Sequence, residues 1–149
     1  MADKKMTAQE LKSFLPVYFD ENNGKPFPLT VTGGSMAPFV IGGRDKAFLS
    51  PFDGSASVGD VLLFCHGDRL ILHRVAKIHD SKTLSFMGDA HTVGENNIPV
   101  SDVLARCDTV LRDGKIIKKN DPLWRFFAIL PKHGRGRKVI IKIAGRKKN

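Results

Sequence analysis

"DVLLFCHGDRLILHRVAKI", residues 60–78, decides the fold class. Two apolar runs, "DVLLF" and "LILHRV", flank "HGDR", in which Gly67 and Asp68 suit a hairpin connection. Similar runs lie on either side: "FPLTV", "KAFLS", "TLSFM" and "VLARCDTVL", separated by Gly, Asp, Asn and Pro. The β pattern extends to about residue 117, with "RDGK" at 112–115 as a further turn and "GENNIP" as a loop. The expected fold is mainly β: a small twisted, coiled antiparallel sheet with short N- and C-terminal helices.

The helices carry their own signals. In "TAQELKSFLPVYF" Thr7 and Glu10 have capping-box spacing, and Leu11, Phe14 and Leu15 share a face, which predicts a helix over 7–19. "ENNGKP" turns the chain toward the β portion. The character changes at Asn120, where Asp121 can cap and Pro122 suits the first helical position, so "DPLWRFFAIL" predicts a short helix ending near Pro131. "PKHGRGRK" reads as a basic link, and "VIIKIAGRKKN" as an apolar patch with a basic end. Residues 1–119 are thus expected to form the β domain, and 120–149 a basic, partly amphipathic tail.

A chain of 149 residues suits one domain with a real core. No stretch approaches the roughly 20 apolar residues of a membrane-spanning helix. "FLPVYF" is too short for a secretory signal, and Pro16 interrupts it. Cys65 and Cys107 lack C-x-x-C spacing and read as buried or free thiols of a reducing compartment, which makes the cytoplasm the expected location. Neither a metal nor another cofactor is expected, since the histidines lack ligand spacing.

Of the net charge of +9, residues 1–111 contribute −2 and residues 112–149 contribute +11. The basicity belongs to the tail and invites an anionic partner. Residues 122–149 join Trp124, Phe126, Phe127, Ile129 and Leu130 to Lys138, Lys142, Arg146, Lys147 and Lys148. That mixture suits reversible contact with an anionic membrane face. Nucleic acid is the weaker expectation, because no aromatic stacking platform accompanies the charge.

"TGGSMAP", residues 32–38, ends the strand-like run "FPLTV" in two glycines and presents Ser35 just before a proline. Such a serine is either a turn residue or a nucleophile held on a tight turn. A nucleophile needs a base. His66 lies in a hairpin turn, His79 at a strand end, His91 in a loop and His133 in the basic link. His73 lies inside an apolar strand, where alternation puts it on one face with Ile71 and Val75, against Leu70, Leu72 and Arg74 on the other. A half-buried imidazole needs a partner, and a serine hydroxyl could supply one.

"GGSMAPFV", "SVGDVLLF", "LILHRVAKI" and "FMGDAHTVGEN" stand in an order and spacing that resemble signal peptidase I and the related self-cleaving SOS-type repressors. The resemblance covers roughly residues 28–112. In most bacterial members the base is a lysine in the strand after the "GD" box. In the endoplasmic-reticulum and archaeal-type branch a histidine takes that place in "HRV", as here. The resemblance implies a coiled β-sheet domain of the signal-peptidase type, with Ser35 as nucleophile and His73 as general base. In the histidine-type branch the third member is an acid, at a place held here by Glu95, with Asp89 of "MGD" as the alternative. Asp89 is otherwise expected to hold the turn. Gly33 replaces the first serine of Ser-Gly-Ser-Met, so oxyanion stabilisation falls to the Gly33, Gly34 and Ser35 backbone, chiefly the Ser35 N–H. Met36 is expected to pack beneath the nucleophile and Pro38 to fix the turn, both supporting the substrate-binding region. The spanning helix usual before the serine box is not expected here.

The reading is therefore a serine endopeptidase, signal-peptidase-like, working through a Ser-His or Ser-His-acid acyl-enzyme on a peptide or protein substrate. A non-catalytic peptide-binding module on the same fold is the alternative, favoured by Gly33 and Glu95.

Overall fold

The hairpin at residues 60–78 forms where the sequence places it. Strands β3 (Val61–His66) and β4 (Arg69–Ile78) pair antiparallel, with His66 opposite Arg69 across Gly67 and Asp68. In this computed structural model, which describes residues 6–80, 82–91 and 93–129, the hairpin is the centre of one antiparallel sheet curled into a half-barrel. The other strands are β1 (Phe27–Thr30), β2 (Lys46–Ser50), β5 (Thr83–Met87), β6 (Glu95–Pro99), β7 (Val103–Arg112) and β8 (Lys115–Lys118). The order across the sheet is β1-β2-β7-β3-β4-β5-β6, with β8 paired to the end of β7. A 3₁₀ turn, Val100–Asp102, leads from β6 into β7.

One strand escaped the sequence reading. "ENNIP" is the edge strand β6, although Asn and Pro suppress strand propensity; an edge needs hydrogen bonds on one side only and tolerates both. β8 follows "RDGK", where Asp113 and Gly114 have φ of 50° and 81°, the double positive φ that a type I′ hairpin turn demands.

Alternation along the strands gives the sheet two apolar faces. Leu62, Phe64, Ile71, Val75, Leu84, Phe86 and Ile98 form one core. Val61, Leu63, Ala105, Cys107 and Val110 face the other way and meet Leu11 and Leu15 of helix α1 (Ala8–Glu21). Thr7 caps α1 by accepting from the Glu10 N–H at 3.1 Å. The helix runs through Pro16 and ends two residues beyond its expected stop; Pro16 itself is exposed, where water can satisfy the freed carbonyl.

Helix α2 (Pro122–Ala128) differs from expectation in its packing and its cap. Asp121 stands at the N-cap, but its carboxylate reaches back to accept from the Lys118 N–H at 2.8 Å. Trp124 and Phe127 are buried against Phe39, at ring-centroid distances of 4.9 Å and 5.3 Å. A boundary after residue 119 therefore cuts through the core, because burying an indole on Phe39 removes more apolar surface from water than a free amphipathic tail does. Phe126 and Ile129 stay on the surface, 53% and 80% exposed. Leu130, Pro131, His133 and the segment "VIIKIAGRKKN" lie outside the described residues. Among the described residues, no helix is long and apolar enough to cross a membrane.

Candidate active site

His73 enters the site from β4. Ile71, His73 and Val75 share a face, as alternation requires, and the ring lies beside Phe64 at a centroid distance of 6.3 Å. Its Nδ1 stands 2.6 Å from Oε1 of Glu95, the first residue of β6. The side chains are 5% and 16% exposed, so the carboxylate meets the imidazole largely out of water. Burial pulls the His73 pKa below its ordinary value, while the hydrogen bond and charge of Glu95 push it back in part. His73 is thus neutral at pH 7. With the Glu95 carboxylate accepting a hydrogen bond from Nδ1–H, Nε2 is left as an acceptor.

Ser35 arrives on the turn after β1. Gly33 has φ of +72°, and no Cβ would fit on Gly42 because the Gly33 backbone occupies that space. The Ser35 carbonyl accepts the Ala90 N–H at 2.9 Å, which ties the Ser35 turn to the loop after β5. Gly88 opens that loop. A Cβ on Gly88 would lie 2.5 Å from the Ser35 carbonyl oxygen, 3.0 Å from His73 Nε2 and 3.1 Å from His91 Nδ1. One point therefore gathers the Ser35 backbone and the free nitrogen of His73. The Ser35 hydroxyl makes no hydrogen bond to His73. The N–H groups of Gly34 and Ser35 meet no backbone acceptor among the described residues.

Asp89 takes the other acidic role. Its two carboxylate oxygens accept from Arg74 Nε and Nη2, both at 2.9 Å, in a buried bidentate pair. Arg74 Nη1 also donates to the Gly59 carbonyl at 2.8 Å, and the guanidinium lies 5.1 Å from the centre of the Phe39 ring. The pair thus joins β4, the Gly88 loop and the segment after Ser35. Met36 is buried in the core on the side of the sheet that carries Leu11 and Phe39. The Pro38 and Phe39 carbonyls accept from Arg112 at 3.2 Å and 2.9 Å.

His91 is a neighbour that sequence reasoning passed over as a loop residue. Its ring stands perpendicular to His73 at a centroid distance of 5.3 Å. Its proximity to "MGD" in the sequence was the available signal.

Hairpin parity exposes a second feature. In a two-residue hairpin the flanking pair, His66 and Arg69, is hydrogen-bonded, so residues 69, 71 and 73 address β3. Val75 agrees, since its N–H donates to the Asp60 carbonyl. Leu70 and Leu72 therefore point their N–H and C=O groups away from β3. β5 reaches only to Met87, opposite Arg74, so nothing among the described residues pairs with them. This open edge ends at His73.

No family model, curated protein or solved structure matches the chain.

Proposed function

We propose that the protein is a serine endopeptidase of the signal-peptidase type, with Ser35 as nucleophile, His73 as general base and Glu95 as the orienting carboxylate. The observation that carries the reading is the 2.6 Å contact of His73 Nδ1 with Glu95, on a ring whose Nε2 faces the turn bearing Ser35. An extended peptide pairs with the Leu70–Leu72 edge, which brings its scissile carbonyl alongside His73. Ser35 Oγ attacks the carbonyl carbon as its proton passes to His73 Nε2. The imidazolium so formed is stabilised by Glu95, and the oxyanion by the Ser35 and Gly34 N–H groups. His73 then gives the proton to the departing amine. In the second half-reaction His73 takes a proton from water as the water oxygen attacks the acyl-Ser35 ester, and returns it to Ser35 Oγ as the C–O bond breaks and the carboxylic acid leaves.

Incubation with a peptide library, read by mass spectrometry for new termini, tests the reading. Cleavage by the wild type should disappear in Ser35→Ala and His73→Ala while both variants remain folded. Retained cleavage by purified Ser35→Ala rules the mechanism out. The second reading, a peptide-binding module that does not cut, draws on the missing Ser35–His73 hydrogen bond. It predicts that the same peptides are bound intact.

A cytoplasmic location, peripheral on an anionic membrane face, belongs to the same reading. Its support is narrower than the sequence suggested, since Trp124 and Phe127 are spent on the core. Phe126 and Ile129 remain on the surface next to residues 130–149, which carry eight Lys and Arg and no acidic residue. Anionic liposomes should sediment the protein at low salt, and Phe126→Ser with Ile129→Ser should weaken this; protein left in the supernatant contradicts it.

A further inference from the structure

Ser85 lies in the middle of β5 with its side chain buried. Its hydroxyl stands 2.6 Å from Nε2 of His79, just past the end of β4. The Asn97 N–H, from β6, donates to the same hydroxyl at 3.3 Å. One lone pair of the hydroxyl accepts from Asn97 while the His79 ring holds the same oxygen, so a single side chain ties β6 to the end of β4.

These bonds sit where the register of β6 breaks. Leu84 faces Ile98 and Phe86 faces Glu95, so Asn96 and Asn97 together oppose Ser85 alone. Asn97 has φ of 56°, the left-handed conformation that marks an extra residue in a strand. β6 is an edge strand, so β5 alone sets its register. A slip of one residue would carry Glu95 to the opposite face of the sheet, away from His73.

We propose that Ser85, steadied by His79, is a positioning residue that pins the β6 bulge and thereby aims Glu95 at His73. The proposal rests on the reading of His73 and Glu95 as base and orienting carboxylate, but neither Ser85 nor His79 touches Ser35 or a substrate. Its function is to fix which nitrogen of His73 carries the proton. With Glu95 in place the proton sits on Nδ1; a displaced Glu95 releases the ring to the Nε2–H form usual in water, which cannot accept from Ser35.

The test is the tautomer of His73, read from ¹⁵N chemical shifts of the histidine-labelled full chain above the His73 pKa, with no substrate present. The wild type should show the Nδ1–H form, Ser85→Ala its loss in favour of Nε2–H, and Ser85→Thr its retention. Should Ser85→Ala fail to fold, His79→Ala, at an exposed position, decides by the same shift. Unchanged Nδ1–H in the deciding variant, loss in Ser85→Thr, or Nε2–H in the wild type overturns the proposal. An inactive wild type with the expected tautomer pattern sinks the peptidase reading and leaves the positioning role standing.

Discussion

Glu95 Oε1 lies 2.6 Å from His73 Nδ1, and the two residues come from strands that do not touch: β5 separates β4 from β6. The carboxylate reaches the imidazole past the end of β5, where the chain leaves the sheet at Gly88. Gly94 permits this approach, because the space for a Cβ there is filled by the Phe86 carbonyl.

Burial lowers the His73 pKa, so the base should lose its lone pair to a proton only below its ordinary pH range of about 6.5. Cleavage should therefore rise with pH through a midpoint below that value and then level off. The linkage has the same direction: the unfolded chain takes up the proton first, so this contribution to stability is complete above about pH 6.5 and falls away as pH drops through the folded pKa. A pH–rate profile with its acid limb above pH 7 contradicts the assignment.

Glu95→Gln should cut turnover by on the order of 10⁴-fold, because an amide nitrogen facing Nδ1 favours the wrong tautomer. Its thermal stability should change little. Asp89→Asn should do the reverse in emphasis. It leaves the buried Arg74 guanidinium short of its counter-ion, at a cost of about 3–5 kcal/mol, visible as a large fall in Tm. A larger loss of turnover in Asp89→Asn at matched folded fraction would transfer the third role to Asp89.

Much of this architecture was legible in the sequence, and the gaps have physical causes. The alternation that put His73 with Ile71 and Val75 holds because all three are buried on one face of β4, and a one-residue slip would turn them out of the core. β6 was read as a loop because an edge strand lacks the apolar alternation on which such reading depends. The different partners of Glu95 and Asp89, His73 and Arg74, follow from how β6 lies beside the end of β5, which no spacing rule encodes. Trp124 and Phe127 looked like membrane-seeking residues because composition records apolar surface but not what covers it.

Gly88→Ala should place a methyl 2.5 Å from the Ser35 carbonyl and 3.0 Å from His73 Nε2. The carbonyl is backbone and held by Ala90, so the turn or the ring must shift, at about 1–3 kcal/mol. Steady-state kinetics should show kcat falling far more than KM changes. Wild-type kcat in the variant contradicts the convergence of the two groups at this point.

Trp124→Ala should destabilise the fold by about 3–5 kcal/mol, measured by urea unfolding, because it empties the site against Phe39. Phe126→Ala, two residues on but exposed, should stay within about 0.5 kcal/mol of wild type. Equal small effects would return α2 to the status of a free tail.

The most direct measurement is active-site labelling with a peptidyl phosphonate, followed by mass spectrometry of the digested protein. The account predicts a single covalent adduct on Ser35, formed faster as pH rises through the His73 titration, and absent from Ser35→Ala and His73→Ala. No adduct on the folded wild type, or equal labelling of Ser35→Ala, contradicts it.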